Sequence, residues 1–171
     1  MILEIRKAGP ADVEQILEVT RDAFSNYAEN LGMPEKVVAL KETPQTVLDE
    51  MKKKTVLVGT VNGKIIGTVR FETIPGNIAY ITRFGVSSAI RKSGIGTMLI
   101  EEVVAYAKQE CLTAVALHTC TKMFPLVRFY YGQGFYIHST TQDRGYVRGL
   151  FLRELTDQTH ETMDLDFVSQ L

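Results

Sequence analysis

The sequence predicts a mixed α+β domain, and three observations carry the prediction. Apolar residues switch several times between the period of two that suits a strand and the three-to-four spacing of a helical face. Asn62-Gly63 lies between two β-branched runs, the strongest short-range signal for a hairpin. The elements then fall in the order strand, two helices, three strands, helix, strand, helix, two strands, which is not the strict alternation of a parallel α/β fold.

Each element follows from its residues. Ile2 to Lys7 alternate as an opening strand, and Gly9-Pro10-Ala11-Asp12 marks a helix start where proline costs no hydrogen bond. Val13, Ile16, Leu17, Thr20, Phe24 and Tyr27 form one apolar stripe, broken by Leu31-Gly32-Met33-Pro34. Thr43-Pro44 opens a second helix, with threonine as cap. Val56 to Val61 and Ile65 to Ile74 are the arms of the hairpin, and Pro75-Gly76-Asn77 turns the chain into a strand from Ala79 to Val86. Gly94 to Glu110 is a helix whose stripe contains Ile95, Met98, Leu99, Val103, Tyr106 and Ala107, and it leads to a strand from Ala114 to Cys120. A short helix near Phe124 to Tyr131 stops at Gly132-Gln133-Gly134, and strands at Tyr136 to Thr140 and Tyr146 to Leu152 follow. The expected division is one domain over residues 1–155 and a polar, acidic tail over 156–171, helical or loosely ordered.

Composition narrows the function classes. The chain has 171 residues, 45% of them hydrophobic, enough for one substantial core. Its 19 basic and 20 acidic residues sum to a formal charge of -1 without long like-charge blocks, which argues against nucleic acid and an anionic membrane surface as partners. No apolar run approaches membrane-spanning length, and the first residues read as a strand, not a secretory signal. Cys111 and Cys120 make neither a disulfide framework nor a metal knuckle, so the expected setting is reducing and cytoplasmic, with no metal. The apolar strand Tyr146 to Leu152, read as a sheet edge, suggests a homodimer that covers it.

The chemistry concentrates in Arg91-Lys92-Ser93-Gly94-Ile95-Gly96, at the mouth of a helix. The first amides of a helix lack internal partners and carry the positive end of its dipole, so they attract an anion. Glycines let backbone approach a phosphate closely, and Arg91 and Lys92 add charge at the rim. Taken alone, the same residues also describe an ordinary loop glycine before a helix start. The Walker and dinucleotide patterns are both absent.

With its flanks the segment resembles the GCN5-related N-acetyltransferase (GNAT) family, whose hallmark is a strand, a short loop, Arg/Gln-x-x-Gly-x-Gly/Ala and an amphipathic helix. Here it reads from Ile81 through Arg91-Lys92-Ser93-Gly94-Ile95-Gly96 to Ile100. A second block, Phe129-Tyr130-Tyr131-Gly132-Gln133-Gly134-Phe135, is similar to the family's aromatic-Tyr-x-x-x-Gly-Phe element.

The resemblance implies a mostly antiparallel sheet of about seven strands flanked by about four helices and splayed at its two central strands. It also implies acetyl-CoA as acyl donor and a primary amine, of a small molecule or a protein, as acceptor. The backbone of Phe84, Gly85 and Val86 would pair with the pantetheine arm, the amides of Lys92, Ser93, Gly94, Ile95, Gly96 and Thr97 would take the diphosphate, and Arg91 would lie close by. Tyr130 aligns with the family's general acid. Tyr80 stands where some members carry a catalytic glutamate, which leaves Glu72 or His118 as base candidates, with Glu72 preferred. Met123 replaces an asparagine of many members. Tyr27, Glu29, Asn30, Tyr80 and the segment Asp143-Arg144-Gly145-Tyr146 are expected around the acceptor. The alternative reading is a catalytically weak domain of this fold that senses acyl-CoA or contacts a partner.

Overall fold

The structure, a computed structural model, describes residues 1–171. Seven strands, β1 (Leu3–Lys7), β2 (Thr55–Val61), β3 (Lys64–Ile74), β4 (Ile78–Val86), β5 (Ala114–Cys120), β6 (Tyr136–Thr141) and β7 (Arg148–Glu154), follow the order β1-β2-β3-β4-β5-β7-β6. The α-helices are α1 (Val13–Leu31), α2 (Pro44–Lys53), α3 (Ile95–Gln109) and α4 (Phe124–Gly132). β4 runs parallel to β5, whereas β1 with β2, β2 with β3, β5 with β7 and β6 with β7 are antiparallel. The chain divides into two compact units, Met1–Glu72 with Thr82–Val103, and Thr73–Ile81 with Val104–Leu171.

In the first unit the ends of the helices are set by local chemistry. Before α1, Asp12 accepts hydrogen bonds from both terminal nitrogens of Arg6 (2.7 and 2.8 Å) and from the Gly9 amide (2.8 Å). The carboxylate charge also suits the positive helix end. At the far end Gly32 takes the left-handed conformation (φ 72°) and its amide closes on Ala28 and Glu29 carbonyls. α2 begins where the sequence places it, with the Thr46 amide donating to Thr43 Oγ1 at 3.3 Å and Pro44 in the first turn. The β2–β3 turn is the Asn-Gly hairpin, and both residues have positive φ, 49° and 83°. Val13, Ile16, Leu17 and Val19 of α1 pack with Val47 of α2 and with Val56, Val58 and Ile65 of the hairpin.

Two glycines of that hairpin decide where α3 sits. Gly59 and Gly67 are directly paired across β2 and β3, leaving a patch with no side chains. A Cβ at Gly59 would lie 2.6 Å from Ile95 Cγ1, and one at Gly67 would lie 2.9 Å from Leu99 Cδ1. Ile95 and Leu99, on the first turns of α3, are fully buried. Gly85 of β4 performs the same service for α1, since a Cβ there would come within 2.8 Å of Ala23 Cβ.

In the second unit, Ile78, Ala79 and Tyr80 of β4 pair with Ala114, Val115 and Ala116 of β5, and β5 pairs along its whole length with β7. Because β7 lies between β5 and β6, the apolar strand is interior and β6 is the edge. This corrects the expectation of an apolar edge strand and removes the argument for a homodimer built on it. Leu150 and Leu152 are buried against Leu165 and Val168, and Phe151 packs against Tyr130 and Tyr131 of α4. The strand also begins at Arg148, two residues later than the pattern suggested.

Residues 156–171 pack through Leu165 and Val168 against Ile74, Ile78, Tyr80, Ala114, Ala116, Leu150 and Leu152. His160 is 1% exposed, with its amide donating to Glu154 Oε1 and its Nε2 3.1 Å from Thr113 Oγ1. The last turn is a 3-10 segment, Asp166–Gln170.

The glycine patch yields a test. Substituting Gly59 by alanine forces Ile95 out of its seat, and overpacking of this kind costs about 1–3 kcal/mol. The urea midpoint of Gly59→Ala should fall accordingly, whereas a surface control, Gly132→Ala, whose Cβ would meet nothing within 4 Å at an exposed position of α4, should not lower it.

Candidate active site

The helix mouth singled out in the sequence is built by four anchors. After β4, the Ser87 amide donates to the Ile66 carbonyl at 2.7 Å, holding the exit of the strand. Asp22 of α1 then receives the Ser88 amide on one oxygen (2.6 Å) and the Ser88 hydroxyl on the other (2.9 Å). Its carboxyl is held below the usual range, first by the Ser88 amide, then by the Ser88 and Ser87 hydroxyls and the charge of Arg91. The chain continues as a 3-10 segment, Ser88–Ser93, turns at Gly94 (φ 87°, ψ -3°) and enters α3.

Ser93 Oγ accepts from the Ile95 amide at 3.4 Å, and the bond from the Met98 amide to the Gly94 carbonyl (3.1 Å) closes the first helical turn. Amides ahead of Met98 therefore lie at the open, electropositive end of a helix whose own side chains, Ile95 and Leu99, are buried. Arg91 and Lys92 are exposed beside it, and a Cβ on Gly94 would meet nothing within 4 Å. Open space, free approach to backbone and two cations are the features a diphosphate requires.

Upstream on β4, Gly85 is buried and Phe84 and Val86 are half-buried. The residue before them, Arg83, has φ 50°, the left-handed region that side-chain-bearing residues seldom adopt within a strand. Its Nε reaches Glu42 Oε2 at 3.3 Å. Glu42, immediately ahead of the Thr43 cap, is itself gripped by Arg70 of β3 in a two-pronged pair, Nη1 to Oε2 at 2.7 Å and Nη2 to Oε1 at 2.8 Å. Arg70 is entirely buried and Glu42 nearly so. Sequence reasoning missed this group, although one signal was there: Arg70 is the lone charge inside the apolar run from Ile65 to Phe71. Glu72, two residues on and so on the same face as Arg70, is half-buried and enters no ion pair. At the end of α1, Tyr27 stacks obliquely on Phe24 (centroids 6.1 Å apart), while Glu29 and Asn30 are exposed.

In the second unit the two adjacent tyrosines of α4 separate cleanly. Tyr130 is 4% exposed, ringed by Phe129, Phe135 and Phe151 at centroid distances of 5.2, 5.7 and 5.5 Å. Burial pushes its phenol well above the usual value, so it keeps its proton. Tyr131 is half-exposed and its hydroxyl accepts the Ile137 amide at 3.2 Å, pinning it to β6.

Tyr80 is buried, with its hydroxyl 2.6 Å from His118 Nδ1. Burial, then the charges of Arg148 and Arg144, lower the His118 pKa to about 4. The imidazole is neutral at pH 7, so one ring nitrogen carries a proton and the other accepts, and Nδ1 shares a hydrogen bond with the Tyr80 hydroxyl. His118 borders a cleft of about 290 Å³ lined also by Ser139, Thr140, Thr141, Asp166 and Ser169. Asp143 accepts from Arg148 at 3.3 Å, and the Arg144 guanidinium reaches the Leu171 carbonyl. No group of three or more His, Cys, Asp or Glu side chains gathers in a way that could hold a metal ion.

Residues 15–135 match the model of the Acetyltransferase (GNAT) family. The chain belongs to this family. No curated protein sequence matches it at a significant level. Among solved structures it is similar to the PaiA N-acetyltransferase of Thermoplasma acidophilum in complex with coenzyme A, with a TM-score of 0.81 and 20% identity over 90% of this chain and 99% of that one. It is similar also to Ard1 from Thermoplasma volcanium, with a TM-score of 0.72 and 21% identity over 92% and 100% of the two chains. The ribosomal-protein-S18-alanine N-acetyltransferase of Escherichia coli gives a TM-score of 0.73 and 13% identity over 92% and 97%. At these identities the likeness is one of fold, and the GNAT fold is the one the resemblance of the two sequence blocks implied.

Two measurements test the GNAT site as built here. Asp22→Ala removes both anchors of Ser88, and the KM for acetyl-CoA should rise by about tenfold, the worth of one charge-assisted hydrogen bond. Thermal unfolding read against pH tests His118. A histidine whose folded pKa lies below its unfolded value destabilises the fold as pH falls from about 6.5 toward about 4, because the unfolded state binds the extra proton. Tm should decline through that window, and His118→Gln should flatten the decline.

Proposed function

We propose that this chain is an acetyl-CoA-dependent N-acetyltransferase that moves the acetyl group directly to a primary amine. The observation that carries the reading is the helix mouth at Gly94–Gly96, anchored by Asp22 and seated on the Gly59–Gly67 patch. Its amides from Lys92 to Thr97, with Arg91, would hold the diphosphate. The backbone of Phe84, Gly85 and Val86 would pair with the pantetheine arm, and the Val86 amide would polarise the thioester carbonyl as an oxyanion-hole donor does.

Balance of the reaction assigns two further roles. An amine is nucleophilic only when neutral, and Glu72, half-buried and engaged in no ion pair, is our candidate to take the proton of the incoming ammonium. As the nitrogen–carbon bond forms and the carbon–sulfur bond breaks, Tyr130 gives its proton to the departing sulfur. Its raised pKa keeps the phenol protonated at neutral pH, so that it has a proton to give as the sulfur departs. The proton released from the amine nitrogen restores the phenol. Tyr27, Glu29, Asn30 and Tyr80 are the proposed acceptor contacts.

A thiol-release assay over a panel of primary amines tests the proposal. Tyr130→Phe should lower kcat by about a hundredfold or more while leaving coenzyme A binding by calorimetry intact. Turnover by the phenylalanine variant at the wild-type rate would remove Tyr130 from the mechanism. Tight coenzyme binding with no turnover on any amine would point to the acyl-CoA sensor.

A further inference from the structure

The charge count beside β4 does not close. Glu42 is fully satisfied by Arg70, whose two terminal nitrogens occupy its two oxygens at 2.7 and 2.8 Å. Glu50 of α2 is matched by Lys54, with Nζ to Oε2 at 2.9 Å, and Arg70 lies a further 3.7 Å from the same oxygen. Two carboxylates are thus matched one to one by Arg70 and Lys54, and Arg83 is left as a third cation.

Arg83 makes a single, long bond through Nε to an oxygen that Arg70 already holds more tightly. Its two terminal nitrogens have no protein partner, and its side chain is 25% exposed. A left-handed backbone (φ 50°) carries it, a conformation that costs energy at a residue with a Cβ and that clusters at ligand sites. The fork of an arginine held by Nε alone is shaped to take two oxygens of one anion.

We propose that Arg83 is a specificity-determining residue that binds a carboxylate of the acceptor, so that the amine acetylated is one that also bears a carboxylate, as a free amino acid does. The proposal rests on the acetyltransferase reading, since it is the neighbouring backbone of Phe84, Gly85 and Val86 that would hold the pantetheine arm. That arm is uncharged, and the diphosphate and 3′-phosphate both lie at the coenzyme's nucleotide end, on the side of the loop from Lys92, so the reactive end of the coenzyme offers Arg83 no anion. The surplus charge also disfavours acceptors that are purely cationic, such as polyamines.

The experiment uses matched pairs that differ only in the carboxylate, L-lysine with cadaverine and L-ornithine with putrescine, in wild type, Arg83→Gln and Arg83→Lys. For each, kcat/KM is measured by thiol release, and binding to the coenzyme A complex is measured by calorimetry. Wild type should prefer the carboxylated member by about 10- to 100-fold, the worth of a charged hydrogen-bonded pair. Arg83→Gln should abolish the preference with the KM for acetyl-CoA unchanged, and Arg83→Lys should restore part of it.

Equal use of both members by wild type, a preference that survives Arg83→Gln, or a rise confined to the KM for acetyl-CoA would each overturn the proposal. If no amine turns over, the acetyltransferase reading fails, and calorimetry still decides on Arg83. Binding of the carboxylated member that Arg83→Gln removes upholds the carboxylate site, and no such binding overturns it.

Discussion

A helix end can hold a diphosphate only if the helix itself is held still, and here two missing side chains do the holding. The paired Gly59 and Gly67 let Ile95 and Leu99 descend onto the backbone of β2 and β3, closer than any side chain at either position would allow. Interior packing is dense and stiff, so a helix docked by its first two turns has its open amide end fixed in direction. Asp22 then fixes the loop that precedes it. Its two oxygens hold the Ser88 amide and hydroxyl, so the path from β4 to Gly94 is defined at both ends before any anion arrives. Preorganisation of this kind leaves little ordering entropy to be lost on binding.

The second constraint is electrostatic and more expensive. Taking Arg70 and Glu42 out of water costs several kcal/mol per ion, and their mutual attraction returns it only because the pair is bidentate and dry. An apolar pair of similar volume would serve stability as well. What the ions supply instead is position: Glu42 precedes the Thr43 cap of α2, Arg70 lies in the middle of β3, and Arg83 reaches the same carboxylate from β4. One buried anion thereby sets the start of a helix against two strands.

Patterns that depend on neighbours in sequence were readable, and those that depend on neighbours in space were not. The Asn62-Gly63 hairpin, the Thr43-Pro44 helix start and the glycine mouth of α3 are local, and each is where its residues place it. β7 was misplaced because an apolar strand looks alike whether it closes a sheet or is enclosed by one. Its interior place comes from β6 folding back outside it, a long-range fact. The packing of Leu165 and Val168 and the burial of His160 were invisible for the same reason, since the tail's polar composition hides three residues that reach the core. The Glu42–Arg70 pair joins residues 28 apart in sequence and leaves only one trace, a charge in an apolar strand. Tyr130 and Tyr131 were equivalent by type, and their different burial distinguishes them.

Burial also explains which groups of the proposed mechanism carry charge. The same loss of solvent raises the pKa of Tyr130 and lowers that of His118 to about 4, in opposite directions because it penalises whichever form is ionised. Both are therefore neutral at pH 7, a phenol that holds its proton and an imidazole that carries no charge. A neutral imidazole with so low a pKa is a weak base toward an ammonium. The cations along the proposed coenzyme path are Arg83, held through Nε alone, and the exposed Arg91 and Lys92 beside the helix mouth. On the proposed reading a neutral phenol and a carboxylate handle the protons, and these cations bind anions at two places along one strand and loop, a diphosphate at the loop and a carboxylate at the left-handed residue of β4.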